Sequence, residues 1–142
     1  LIPDSEGAGR FRGAPGIEVE LGPVNCRMEA GFVADGNINI PKGARGGGDA
    51  ARSDQFRRRK SGKMERLDQC SQVWIEDGEM MLSIACGGGG YGNPKARDPE
   101  RVLHDVEEGL VSRKRARKIY GVAITAANKI DLRKTKELRR RK

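Results

Sequence analysis

The run Gly87-Gly88-Gly89-Gly90-Tyr91-Gly92 carries the spacing G-x-G-x-x-G and follows a segment with strand character. A dinucleotide site uses those glycines so that a helix opens at once against the pyrophosphate. Here Asn93-Pro94 intervenes, and helix signals begin only at Asp98, so no cofactor is assigned to the loop. No Gly-Lys-Ser/Thr follows, which also excludes a Walker loop. The run instead suits a tight backbone turn against a ligand or a neighbouring chain, with Gly89, Gly90 and Tyr91 as candidate contacts. A second candidate is the segment DSEGAGRFRG from Asp4 to Gly13, where Arg10 and Arg12 flank Phe11 between glycines. Two guanidinium forks on a glycine-rich backbone could hold a phosphate or a carboxylate. The simpler alternative is a structural turn in which Arg10 or Arg12 pairs with Asp4 or Glu6. His104 is the single histidine and thus the default acid–base group. Helical spacing turns it away from the apolar stripe of Val102, Leu103 and Val106 and toward Glu107 and Glu108, on a solvated surface. Cys26, Cys70 and Cys86 form no CxxC pair, and with one histidine they make no zinc framework. Reduced thiols in a cytoplasmic protein are expected. No residue is assigned a catalytic, metal-binding or cofactor-binding role.

The elements that position these residues must come from a thin supply of core material. Leu, Ile, Val and Phe supply 28 of the 142 residues, and the net charge is +8. Chains of that composition bury little apolar surface. There are 20 glycines, about twice the usual share. Each glycine costs extra backbone entropy on folding. A small chain so built needs a stabiliser from outside, and without disulfides or metal that is a partner chain. No stretch approaches a membrane span, and the N-terminus lacks the basic-then-apolar order of a signal peptide. Leu1 in place of Met fits a processed or truncated product, or an unusual start codon.

Residues 1–16 read as turns punctuated by Pro3 and Pro15. Ile17 to Leu21 alternates strictly and predicts a half-buried strand with Ile17, Val19 and Leu21 on one face. Cys26 to Val33 predicts a second strand, Asp35-Gly36 a turn, and Ile38 with Ile40 a short third strand closed by Pro41. Residues 42–62, with five glycines and the run Arg57 to Lys60, have the composition of a flexible linker. Gln72 to Glu76 and Met80 to Ala85 predict a hairpin about Asp77-Gly78. Asp98 before Pro99 predicts a capped helix stopped by Gly109. Ser112 predicts the cap of a second helix, with Ala116, Ile119 and Tyr120 inward and Gly121 closing it. Val122 to Thr125 predicts a short strand, and Asp131 caps a last basic helix ending in RRRK. The expectation is an α+β fold. A glycine-rich β module spans 1–97, flexible over 42–62, and a helical hairpin with a basic helix spans 98–142.

The runs Arg57 to Lys60, Arg113 to Lys118 and Arg133 to Lys142 raise nucleic-acid binding as an alternative. Residues 99–120 also imitate a helix-turn-helix. Aromatic residues for base stacking are scarce at 4%, and acids crowd the first of the two helices. An acidic partner or solvent fits the basic faces better, and no nucleic acid and no membrane are expected.

The segment Cys86 to Ile124 resembles the C-terminal end of the hydantoinase B family. That family comprises the B subunits of ATP-dependent N-methylhydantoinases, the matching half of 5-oxoprolinase, and related subunits of acetone and acetophenone carboxylases. The resemblance rests on Gly89-Gly90-Tyr91-Gly92-Asn93-Pro94, Arg97-Asp98-Pro99, the acidic stretch Asp105 to Glu108, Gly109-Leu110-Val111-Ser112 and Tyr120-Gly121-Val122. Pro3-Asp4-Ser5 with Gly9-Arg10-Phe11-Arg12-Gly13 is similar to the segment just upstream. Family B subunits are several times longer, so the likeness is to their last part as a small separate subunit of the acetophenone carboxylase kind. It implies partners: a larger hydantoinase B-like subunit, whose fold this chain completes, and a hydantoinase A-like ATP-binding subunit. The implied reaction is a biotin-independent, ATP-driven ketone carboxylation, of the type acetophenone plus bicarbonate to benzoylacetate. ATP and Mg²⁺ or Mn²⁺ would sit on other subunits. The alternative is a piece of an N-methylhydantoinase- or 5-oxoprolinase-type hydrolase. On either reading Asp4, Arg10, Arg12, Gly89, Gly90 and Tyr91 are anion or subunit contacts, not catalytic groups.

Overall fold

The computed structural model describes residues 1–140. Six strands precede three helices: β1 (Ile17–Leu21), β2 (Met28–Val33), β3 (Asp54–Arg58), β4 (Met64–Arg66), β5 (Cys70–Ile75), β6 (Met80–Ala85), α1 (Pro99–Glu107), α2 (Arg113–Lys118) and α3 (Leu132–Arg140). The strands form an antiparallel sheet in the order β1-β6-β3-β4 and a two-stranded ribbon of β2 and β5. The fold class is therefore α+β, with short antiparallel strands followed by helices.

The helical end follows its local signals. Asp98 Oδ1 accepts the Glu100 amide at 2.9 Å, and Pro99 needs no amide partner at the first helical position. Gly109 and Gly121 stop α1 and α2 at φ 70° and 64°, which a side chain disfavours. Ser112 Oγ caps α2 through the Arg115 amide at 3.0 Å, and Asp131 Oδ1 takes the Lys134 amide at 2.9 Å. The last two residues of the predicted basic RRRK end, 141 and 142, lie outside the described residues.

Four expectations about the strands and the linker fail. The Asp77-Gly78 turn forms, with Gly78 at φ 80° and the Glu79 amide on the Glu76 carbonyl at 2.9 Å. Yet β5 and β6 do not pair. β6 lies between β1 and β3, which take both its edges, and β5 crosses to β2 over the register Met28–Ile75 to Val33–Cys70. Ile38 and Ile40 form no strand. A 3₁₀ turn over Asp35–Asn37 replaces it, because Asp35 accepts the Ile38 and Asn39 amides and the Asn39 side chain. Val122 to Thr125 contributes one isolated bridge, Ile124 to Ile130. Residues 42–62 are not a linker throughout, since β3 arises inside them.

What holds β3 and β4 is charge paired across the strands. Arg57 and Arg59 both reach Glu65 Oε2, at 2.8 and 2.9 Å, and Arg59 also reaches Glu79 at 2.9 Å. Arg58 pairs with Glu20 on β1. The three arginines of the basic run are thus paired with carboxylates at the sheet. Arg59 first and Arg57 second hold the Glu65 carboxyl at about 2, down from 4.5. A depressed folded value stabilises the fold fully above the unfolded value, and that support is lost as pH falls through the folded one. At this exposed site water screens the interaction, so its energy is small. An acid titration followed by NMR of the Glu65 side chain is expected to centre near 2. A midpoint at the unperturbed 4.5 would remove the pairing from the account of this hairpin.

The main core lies at the helical end. Ala8, Val102, Val111, Ala116, Tyr120 and Val122 form one buried cluster, flanked by Val106, Ile124 and Ile130. Ile119, expected inward, is exposed at the end of α2. The sheet is covered more thinly. Ile75 and Met81 are buried, but the predicted inner face of β1 is open, with Ile17, Val19 and Leu21 exposed at 47, 46 and 42%. β1 is also an edge strand whose outer hydrogen-bonding side has no neighbour in the sheet.

Candidate functional site

The segment Asp4 to Gly13 runs between the helices and the glycine run, and most of the candidate residues meet there. Asp4 sits at φ 62°, a left-handed conformation that Asp adopts more easily than most residues. It thereby joins the start of α2 twice: its amide donates to the Leu110 carbonyl at 2.9 Å, and Oδ1 accepts the Ser112 amide at 2.7 Å. Glu6 is 1% exposed. Its Oε1 accepts Arg115 Nε at 2.7 Å and the Tyr120 hydroxyl at 2.9 Å, and its carbonyl accepts a second Arg115 nitrogen at 2.8 Å. Burial, and then the Glu6 charge, hold the Tyr120 phenol well above its ordinary value. The phenol is therefore a fixed donor here and not an acid.

Arg12 and Arg97 share one buried carboxylate. Asp105, 2% exposed, takes Arg12 Nε on Oδ1 at 2.9 Å and Arg97 on Oδ2 at 2.9 Å. The expected pairing of Arg10 or Arg12 with Asp4 or Glu6 is therefore replaced by partners about a hundred residues away in the chain. The turn is folded against α1 and α2, whose charges lie closer than its own. Asp105 went unread because it sits within an acidic stretch. Its one signal was position: three residues after Val102 it falls on the inward stripe, where an acid needs a cation. His104, by contrast, is exposed on α1 as its spacing implied.

The glycine run packs against this chain's own backbone. The Gly90 amide donates to the Gly48 carbonyl at 2.9 Å, and the Gly7 amide to Gly88 at 2.8 Å. A Cβ on Gly89 would strike the Lys42 carbonyl, and one on Gly90 would strike the backbone of Ala8. Tyr91 is paired by backbone to Phe11, at 2.9 and 3.0 Å, and its half-exposed ring lies 6.4 Å from the Phe11 ring. Arg45 stacks over the other candidate ring, 5.8 Å from the Tyr91 centroid. Of the candidates, Asp4, Arg12, Gly89 and Gly90 are thus engaged internally, whereas Arg10, Phe11 and Tyr91 reach the surface.

Arg10 opens onto a cleft of about 480 Å³ with Arg97, Arg101 and Arg139. Among the described residues no group of three or more His, Cys, Asp or Glu side chains converges as metal ligands. The three cysteines are free thiols. No helix among the described residues is long and apolar enough to cross a membrane.

Known proteins share the sequence pattern and the fold. The Hydantoinase B/oxoprolinase family model matches residues 1–94. The beta subunit of caprolactamase from Pseudomonas jessenii is 34% identical over 135 residues, covering 92% of this chain and 23% of that subunit. The delta subunit of acetophenone carboxylase from Aromatoleum aromaticum is 38% identical over 65 residues, covering 44% of this chain and 10% of its own length. That delta subunit is far longer than this chain. The crystal structure of the ATP-dependent caprolactamase from Pseudomonas jessenii superposes with a TM-score of 0.75 at 30% identity, over 98% of this chain and 25% of that one. The chain thus spans about a quarter of the caprolactamase relative. With the family model reaching from Leu1 through the glycine run and the caprolactamase fold matched over 98% of this chain, the chain belongs to the hydantoinase B/oxoprolinase family.

Proposed function

We propose that this chain completes the B-type component of an ATP-dependent enzyme complex and does no chemistry alone. One observation carries the reading. β1 presents Ile17, Val19 and Leu21 outward along an unpaired edge, while the chain spans about a quarter of its caprolactamase relative. Exposed alternating apolar residues on a free strand edge are unfavourable in water and invite a covering chain. The remainder of the B-type fold is the occupant of matching kind. ATP, with Mg²⁺ or Mn²⁺, binds a hydantoinase A-like subunit in this reading, and the setting is the cytoplasm.

Co-expression with a longer B-type chain is expected to recover the two together and to protect the β1 amides from hydrogen exchange. Val19→Lys should break the association. Cooperative unfolding of the chain as a free monomer, with no change on adding the longer chain, would overturn the proposal.

Two reactions remain for the complex. Ketone carboxylation draws support from the match to the acetophenone carboxylase delta subunit. ATP-driven opening of a cyclic amide or hydantoin draws support from the caprolactamase match, which extends over more of this chain. ATP turnover by the assembled complex separates them: stimulation by acetophenone with bicarbonate selects the first, and by a lactam or hydantoin the second.

A further inference from the structure

The cleft beside Arg10 holds more positive charge than the chain neutralises. Arg97 is paired with Asp105 beneath the cleft floor. Arg10, Arg101 and Arg139 form no ion pair among the described residues. Arg10 only stacks over Phe11, 5.6 Å from its centroid, and Arg139 donates to the Arg97 carbonyl at 2.6 Å. Arg139 Nε is buried with no hydrogen-bond partner among the described residues. Asp98 is the one carboxylate in the lining, and its Oδ1 already caps α1 through Glu100. Guanidinium groups drawn from the N-terminal turn, α1 and α3 therefore converge on one concavity. Asp98 offsets part of their mutual repulsion at Arg139, and an anion between them would relieve the rest.

The Arg10 backbone and the Arg139 side chain are also held by the fold. The Arg97 guanidinium bonds the Arg10 carbonyl at 3.3 Å, and Arg139 bonds the Arg97 carbonyl, so the three elements are tied to each other at this point. Planar forks arriving from three directions suit an anion with several acceptor oxygens better than a flat carboxylate, which one fork satisfies. The capped α1 terminus adds little, and the guanidinium groups carry the site.

We propose that this cleft binds a phosphate or phosphoryl group through Arg10, Arg101 and Arg139. The inference stands apart from the partner proposal, because it uses only residues of this chain. The test is isothermal titration of the full chain, in whichever state the co-expression experiment delivers it, alone or assembled. Inorganic phosphate, ATP and acetate are titrated at constant ionic strength. Phosphate is expected to saturate one site. Arg10→Ala and Arg101→Ala should each weaken it roughly tenfold or more, the worth of one charge-assisted hydrogen bond. Arg101→Lys should weaken it less, and Arg133→Ala, on the solvent face of α3, not at all. Tighter ATP binding with the same arginine dependence would assign the phosphoryl group to a nucleotide, and equal or weaker binding to free phosphate. Acetate binding as well as phosphate, non-saturating heats, or indifference to the arginine variants would overturn the proposal. So would phosphate binding to the free chain that vanishes on assembly, since an acidic segment of the partner would then be the occupant.

Discussion

Gly13→Ala and Gly90→Ala are each expected to prevent stable folding, whereas Gly31→Ala is tolerated. A Cβ on Gly13 would lie closer than 3.0 Å to three backbone atoms of Gly88. One on Gly90 would meet the backbone of Ala8 and Gly7 equally closely. Neither obstruction is a side chain that can rotate away. Adding a methyl to a packed interior costs about 1–3 kcal/mol when neighbours can yield. Here the neighbours are backbone held by the Gly7–Gly88, Gly88–Ala14 and Gly90–Gly48 hydrogen bonds, so relief requires separating segments that those bonds join. The cost rises above that range and reaches a large part of a typical total stability of ~5–15 kcal/mol. Gly31 on β2 has nothing within 4 Å of an added Cβ. Its substitution reduces unfolded-state entropy and is expected to be neutral or to stabilise by about 0.4–1 kcal/mol. Yield of folded protein and chemical denaturation of the three variants, in the assembled state where that is needed, measure the contrast. Wild-type-like stability in Gly13→Ala would sink this description of the glycine weave.

The same weave marks where the sequence can be read and where it cannot. Signals confined to a few residues are legible. Asp98-Pro99, Ser112, Gly109 and Gly121 place the helix ends because caps and stops act within one turn. Ile17 to Leu21 reads as a strand because alternation is local. The partner of a strand is not local, and the β5–β6 hairpin fails for that reason. Asp77-Gly78 dictates a reversal but not that the arms pair, and β6 is claimed on both sides by strands drawn from residues 17–21 and 54–58. Composition misled over residues 42–62 in a related way. Glycines such as Gly43 and Gly47 look like flexibility, but they are spacers that let three backbones pass within hydrogen-bond distance of one another. Arg57, Arg58 and Arg59 look like solvated charge, but they are ion-pair partners of Glu65, Glu20 and Glu79. Of the candidate site, Arg10 and Arg12 could be singled out by spacing. Their different fates could not, because Asp105 and Arg139 reach them only through the tertiary fold.

Glu6→Ala is expected to destabilise the chain by about 3–5 kcal/mol, the usual cost of removing one member of a buried ion pair. The loss has two parts. Arg115, whose side chain is 24% exposed, keeps its charge near the core without a counterion. The Tyr120 hydroxyl, fully buried, loses its acceptor. The turn is loosened from α2 but not freed, since the Arg115 bond to the Glu6 carbonyl and the Asp4 bonds to Leu110 and Ser112 survive the substitution. Glu6→Gln keeps an acceptor of the same shape and removes the charge, so a smaller loss is expected. Replacing both partners, as Glu6→Leu with Arg115→Met, should cost less than Glu6→Ala alone, because no buried charge is then stranded. That inversion, a double variant more stable than a single one, distinguishes a stranded charge from simple loss of packing. Equilibrium denaturation of the three variants measures it. A Glu6→Ala change within about 0.5 kcal/mol of the parent, the range of ordinary surface substitutions, would mean that the turn is held by its backbone bonds to Leu110 and Gly88 and not by this charge.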